Sequence, residues 1–235
     1  MNIKTKREIL YSANFFIDND SDRIKKLKEI FRRYRGSNAL DIGCGTGNLT
    51  QELQKFSHEV FGVEISKEAG KIAEGKGIKV SYLDVDDDNL PFVNGFFDII
   101  FCGELIEHLF DPDHLLDEIF RTLKTKGIAV ITTPNLGSYL NRISLLFGFQ
   151  PYLTGTGLRY NTGKFFGKQE PCPHLIVFTL RSLKELLQLH HFKIREISGA
   201  NSSHLLRFYP FKIFDNLLTK IPSLATQLIF VVEKL

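Results

Sequence analysis

Residues 39–53 read "ALDIGCGTGNLTQEL". Asp41 ends an apolar run, Gly43, Gly45 and Gly47 alternate behind it, and an amphipathic run follows. Glycine admits positive φ and carries no Cβ, so such a turn lets a ligand lie against bare backbone. With a strand before it and a helix after it, the turn falls at the carboxyl end of a strand, where open parallel sheets bind ligands. A plain tight turn needs no such alternation. Dinucleotide sites use G-x-G-x-x-G, with a pyrophosphate at the helix amino terminus. Gly43 and Gly45 fit that spacing, but the third position is Asn48. The spacing is instead D-x-G-x-G-x-G, and an acid beside the loop repels a pyrophosphate and suits a cation. S-adenosylmethionine carries a sulfonium, an ammonium and no phosphate, so it agrees with both the spacing and the charge.

On either side of this turn, apolar runs alternate with amphipathic ones. The pattern predicts strands over 38–42, 58–65, 78–84, 96–102, 127–135, 192–198 and 225–235. Helices are predicted over 23–34, 48–56, 66–77, 138–147 and 179–192, with Ser66 and Thr179 as amino-terminal caps. Residues 104–127 read as helical, with Pro112 starting a second helix. Several strands are apolar on both faces, which argues for a parallel sheet covered by helices on both sides. The expected fold is α/β, one domain over 1–235. Two stretches break the rhythm. Residues 136–173 hold six glycines and three prolines and are too long for a plain connection, which predicts a functional lid. Residues 199–223 form a second cap insert with an apolar helix over 211–218.

Taken in order, these motifs resemble those of class I S-adenosylmethionine-dependent methyltransferases. "LDIGCGTGN" (40–48) is similar to the first motif of that family, and "VFGVEIS" (60–66) ends its strand with Glu64. "VSYLDVDDDNLPF" (80–92) resembles the segment that holds adenine. "FFDIIFCGELIEHLFDP" (96–112) and "GIAVITTPN" (127–135) resemble the fourth and fifth strand regions. The likeness runs over about residues 38–198. It implies a Rossmann-like, doubly wound, seven-stranded, mostly parallel sheet with an antiparallel last strand and a cap insert. It also implies a cofactor site. The Gly43, Cys44, Gly45 and Gly47 backbone would meet the methionine and ribose portions. Asp41 would organise the loop and the ligand ammonium, and Glu64 would accept both ribose hydroxyls. Asp84, with the Val85 backbone beside it, would hold the adenine amino group between Ile65 and Leu90. Cys102, ending the fourth strand toward the cofactor, reads as a small packing residue and not a nucleophile. Asp86, Asp87 and Asp88 read as a solvated turn, and Asp98 as a structural residue at a strand start.

"GELIEHL" (103–109) raises a second chemistry. On a helix, Glu104, Glu107 and His108 share one face. Two carboxylates and an imidazole there suit a divalent cation, with His174 at the end of the lid as a fourth ligand. The segment resembles the E-x-x-E-H of ubiquinone-pathway O-methyltransferases and of small-RNA 2′-O-methyltransferases, which implies a metal on vicinal hydroxyls. Acids also collect at helix amino termini for the dipole alone. In a metal-free site, His108 or His174 would act as general base.

A net charge of +3 in 235 residues is too small for a nucleic-acid footprint. The "RIKKLKEIFRRY" helix (23–34) reads as a solvated outer helix rather than a membrane-surface one. Cys44, Cys102 and Cys172 form no C-x-x-C pair, so neither a disulfide framework nor a thiolate zinc site is expected. No stretch approaches the length of a membrane span, and the first residues lack a leader's apolar core, so a cytoplasmic location is expected. The lid sets Arg142, Arg159, Lys164 and Lys168 against one acid, Glu170, and adds Tyr139, Tyr152 and Tyr160. An anionic acceptor, or a sugar or aromatic ring, would suit these residues, and the lid resembles those of glycan-cluster methyltransferases. The expected reaction is methyl transfer to a small-molecule or saccharide acceptor, at oxygen, by direct displacement. The alternatives are an NAD-dependent oxidoreductase and a non-catalytic cofactor-binding protein. Nothing in the sequence sets an oligomeric state.

Overall fold

In the computed structural model of the protein, the described residues are 22–157, 160–165, 172, 174–201 and 217–235. Seven strands form one sheet: β1 (Gly36–Ile42), β2 (Ser57–Glu64), β3 (Lys79–Tyr82), β4 (Phe97–Gly103), β5 (Leu123–Pro134), β6 (Phe192–Ala200) and β7 (Gln227–Lys234). Their order is β3-β2-β1-β4-β5-β7-β6. Pairs from β3 through β5 are parallel, and β7 runs antiparallel between β5 and β6. The order reverses between β1 and β4, so a crevice opens above the carboxyl ends of those strands.

Among the described residues six helices cover the sheet: α1 (Asp22–Arg33), α2 (Thr50–Gln54), α3 (Lys67–Glu74), α4 (Pro112–Thr122), α5 (Tyr139–Leu146) and α6 (Leu180–Leu189). Alternation along each strand feeds two cores. Ile99 and Phe101 of β4 join Ile24, Leu27, Ile30 and Phe31 of α1 on one face. Ile100 and Cys102 join Leu116 and Ile119 of α4 and Leu183 and Leu187 of α6 on the other. Strands apolar on both faces are what this double cover requires. Ser66 accepts from the Ala69 amide to cap α3, and Thr179 with Ser182 forms a capping box on α6, as their positions predict.

The structure corrects the reading of 104–127. Glu104 adopts φ 54°, and Ile106–His108 make a single 3-10 turn. The first α-helix begins at Pro112, capped by Asp111, and Leu123 already belongs to β5. Gly103 and the left-handed Glu104 turn the chain sharply off β4, so three acid and histidine side chains do not share a helical face. β3 also stops at Tyr82, leaving Asp84 in the following turn. Of the helix predicted over 211–218, all but Leu217 and Leu218 lie outside the described residues.

Candidate active site

The glycine turn sits where the sequence places it. Gly43, Gly45 and Gly47 all have positive φ, at 73°, 53° and 78°. The Gly43 and Cys44 amides donate to the Val63 carbonyl at 2.8 and 3.1 Å, which locks the turn onto β2. A Cβ on Gly47 would come within 2.4 Å of Ile78, whereas one on Gly45 would meet nothing within 4 Å. Gly47 is therefore demanded by packing, and Gly45 leaves an open face toward the crevice.

Two carboxylates hold this turn. Asp41, on the α1 and α2 side of β1, accepts the Thr50 hydroxyl at 2.6 Å and is almost fully buried. Burial pushes its carboxyl up to about 7; the Thr50 hydrogen bond opposes this and the Glu64 charge adds to it. Glu64 accepts the Gly45 amide at 2.8 Å on one oxygen and the Ser66 amide at 2.8 Å on the other. It thus ties the glycine turn to the start of α3. Neither Thr50 nor Ser66 stands out in sequence as a partner of these acids. Cys44 is buried, and its thiol is pushed up by burial and by Asp41 and Glu64. Gly62 passes so close that a Cβ there would lie 2.7 Å from the Cys44 sulfur.

The predicted adenine segment forms a tight turn. Asp84 is buried and accepts the Asp86 amide at 3.2 Å, while its own amide donates to Asp88 at 3.0 Å. Asp86 accepts the Phe110 and Asp111 amides at 2.9 and 3.0 Å. Asp86 and Asp87 lie in a turn, as expected, and Asp98, near the start of β4, accepts the Ser37 and Asn38 amides. Val85, Leu90 and Cys102 are buried in the α4 and α6 core, and Ile65 is half-buried. The Cys102 thiol is pushed up strongly by burial, which makes it inert.

Across the crevice, Glu107, His108 and His174 bring their ligand atoms within 4.8 Å of one another. The two imidazole rings meet edge to face at 4.8 Å. One Glu107 oxygen accepts the Thr133 hydroxyl at 2.9 Å; the other is buried with no hydrogen-bond partner. Burial, with the Glu104 charge, lifts the Glu107 carboxyl to about 8. The segment after His174 is held because the Leu175 and Ile176 amides donate to the Glu107 carbonyl. Burial lowers the His174 imidazole, but hydrogen bonding to Cys172 and the Cys172 and Glu107 charges outweigh it and raise it to about 9. Glu104 does not join this group. Its carboxylate takes Thr132 at 2.9 Å, Gln227 at 3.0 Å and Arg23 at 3.5 Å. No sequence signal marked Thr133, Gln227 or Arg23.

The lid's charges are arranged differently from the expectation. Lys164 turns inward onto the Pro151 and Thr154 carbonyls, and burial lowers its pKa. Arg142 bonds the Gly137 carbonyl at 2.8 Å and remains exposed. Tyr139 is buried, Tyr152 half-buried and Tyr160 exposed. Arg159, Lys168 and Glu170 lie outside the described residues.

The strand order, the antiparallel β7 and a glycine turn with two acids at the switch point define a Rossmann-like methyltransferase architecture. Residues 18–197 match the model of the methyltransferase domain family, and the chain belongs to that family, within the class I S-adenosylmethionine-dependent methyltransferases. A ubiquinone biosynthesis O-methyltransferase of Bordetella avium is 29% identical over 118 residues, 48% of this chain and 49% of that protein. An uncharacterized protein of Methanocaldococcus jannaschii is 33% identical over 138 residues, 59% of this chain and 58% of the other. The chain spans about half the length of these relatives. A solved S-adenosylmethionine-dependent methyltransferase from Mesorhizobium loti superimposes with a TM-score of 0.62 at 14% identity, covering 92% of this chain and 99% of that one. At that identity the likeness is one of fold. Among the described residues no helix is long and apolar enough to cross a membrane.

Proposed function

We propose that the protein binds S-adenosylmethionine above β1, β2 and β4 and transfers its methyl group to a small-molecule or saccharide acceptor, at oxygen. The observation that carries this reading is the open, side-chain-free face at Gly45, bracketed by Asp41 and Glu64. A cation lies well there: ionised Asp41 and Glu64 supply the negative field, and a positive ligand stabilises the charged form of the buried Asp41. Glu64 exchanges backbone amides for ribose hydroxyls, and Asp84 with the Val85 backbone faces the adenine amino group. The chain's main contribution to rate is to align acceptor oxygen and methyl carbon in a water-poor crevice. In a metal-free site His108 takes the acceptor proton, since His174, raised to about 9, already carries one at neutral pH. Among family alternatives the NAD-dependent oxidoreductase loses its ground, and the placement of the chain in the cytoplasm accompanies this reading.

A divalent cation is a second element of the proposal, and the donor set fits one. Glu107 offers a buried oxygen without a hydrogen bond, 3.9 Å from His108 Nε2, and His108 and His174 offer nitrogens beside it. When bound, such an ion would polarise an acceptor hydroxyl and lower its pKa. Glu104 is committed to Thr132, Gln227 and Arg23, so three protein ligands are proposed rather than four.

Calorimetry with S-adenosylhomocysteine, followed by labelled-methyl transfer to catechol, phenol and saccharide acceptors, tests the reading. Binding with transfer at oxygen supports it. Binding without transfer to any acceptor points to a non-catalytic protein, and no binding removes the proposal. Loss of activity in EDTA, restored by one divalent ion, supports the metal; full activity in EDTA removes it.

A further inference from the structure

Two adjacent threonines on β5 divide the acids of residues 103–109 between the two faces of the sheet. Side chains alternate along a strand. Ile128 and Val130 of β5 join the α1 core, and Ala129 and Ile131 join the core under α4 and α6. Thr132 continues the first row and Thr133 the second, and both are fully buried. The Thr132 hydroxyl donates to Glu104 at 2.9 Å, where Gln227 of β7 and Arg23 of α1 also reach that carboxylate. The Thr133 hydroxyl donates to Glu107 at 2.9 Å, on the opposite face. Two acids three residues apart are thus sent to different neighbourhoods by consecutive residues of one strand.

The backbone of Glu107 is held separately, by the Leu175 and Ile176 amides on its carbonyl. The direction of its carboxylate is a side-chain matter. The last torsion of a glutamate is broad and roughly two-fold, so it does not by itself choose where each oxygen points. Thr133 makes that choice. It pins one oxygen, and the other is left buried, without a hydrogen bond and 3.9 Å from His108 Nε2. Threonine suits the task because its first torsion is stiff. Its backbone is also fixed: Thr133 stands in register with Leu228 of β7, and Thr132 beside it with Gly103 of β4. His174 is aimed in a similar way. Its Nδ1 lies 3.0 Å from the Leu153 carbonyl, which can only accept, so Nδ1 donates there and Nε2 is the nitrogen left for the site.

We propose that Thr133 is a positioning residue: its hydroxyl holds one Glu107 oxygen so that the other faces His108 and His174, where a divalent cation binds. The inference rests on the divalent-cation reading of these three residues. Hydrogen-bond partners behind a metal ligand set its orientation, and their loss weakens the ion.

The test is calorimetric titration of the full chain with manganese chloride, without cofactor or acceptor. T133V keeps the shape and removes the hydroxyl, and it is expected to lower the manganese affinity about tenfold or more. T133A removes the hydroxyl in a smaller side chain, and the same loss is expected of it, so the test stands if T133V does not fold. T133S restores the hydroxyl and is expected to keep the wild-type affinity. T132V loosens Glu104 only and is expected to keep it as well. With cobalt in place of manganese, the visible bands of the T133V complex are expected to differ from those of the wild type, and those of T133S to match them. A hydroxyl that merely supported the fold would change unfolding in denaturant and leave both the affinity and the bands alone. Manganese bound as tightly by T133V and T133A as by the wild type overturns the inference and leaves the metal reading standing. Equal losses in T133S or in T132V overturn it too. No manganese bound by the wild type overturns it together with the metal reading.

Discussion

The proposed cofactor half and the proposed acceptor half of the crevice both depend on buried acids, and they handle them in opposite ways. On the cofactor side every acid oxygen used is met locally. Asp41 finds Thr50 nine residues on, and Glu64 finds Gly45 and Ser66 within its own β-α-β unit. On the acceptor side Glu107 is met by Thr133 from β5 and packs against His174, far along the chain, and keeps one oxygen bare. Such an oxygen costs the fold about 1–3 kcal/mol of unreturned desolvation. The acids of the first half are satisfied within their own neighbourhood; the second half keeps one carboxylate oxygen without a hydrogen bond.

If that contrast is right, Glu107→Gln should separate the two halves most sharply. Methyl transfer should fall by about 100-fold or more, while calorimetry gives an unchanged affinity for S-adenosylhomocysteine. Equal losses of affinity and turnover would break the comparison. The next effect divides neighbours within the finished half. Gly47→Ala places a methyl group against Ile78 and should cost about 2–4 kcal/mol in denaturant unfolding. Gly45→Ala meets no neighbour and should cost only about 1–2 kcal/mol, yet weaken the cofactor about tenfold or more.

Asp41 sharpens the comparison through pH. Its folded carboxyl titrates near 7 against an ordinary 3.8, so the folded chain keeps a proton that the unfolded chain has released. By itself this makes stability without ligand fall as pH rises from about 4 to 7, and Glu107, lifted to about 8, continues the fall above that. Asp41→Asn should remove the Asp41 share of this dependence and gain on the order of a few kcal/mol at pH 8. The same variant should bind the cofactor more weakly, a gain in stability set against a loss in function. Melting curves across pH, with and without ligand, measure both.

The smallest effect lies outside the crevice. His190 is held between Asp113 at 2.7 Å and Asp117 at 2.8 Å, clamping the end of α6 to α4. Burial lowers its imidazole, and the two carboxylates more than reverse this, raising its pKa. The clamp's stability is fully present below the ordinary histidine range and is lost as pH rises through the raised folded value. Both acids are largely exposed, so His190→Ala should cost under about 1 kcal/mol at pH 6, and less at pH 9.

Strand and helix periods were legible because parallel strands buried on both faces carry unbroken apolar runs, as at 96–102. The glycine turn was legible because positive φ leaves its mark in residue type. Residues 104–111 were not legible in the same way. Their apolar spacing fits a helix, but the left-handed Glu104 after Gly103 redirects the chain, and no residue preference announces that. Glu107, His108 and His174 nevertheless come together, by a tight turn and a returning irregular segment instead of a helical face. Glu104, equal to Glu107 on the sequence pattern, is drawn off by Thr132, Gln227 and Arg23 from three other elements.

Local chemistry written into residues 38–65 determined the sheet's first crossover, the ligand turn and the acids beside it, because glycine φ, strand alternation and capping act within a few residues. Tertiary structure alone decided which acids are satisfied and which keeps an oxygen without a hydrogen bond, and that α5 buries Asn141 and Ser144 while Leu145 and Leu146 stay exposed. Those outcomes depend on partners from distant strands and on which face of a helix finds room in the core, and no short stretch of sequence carries that information.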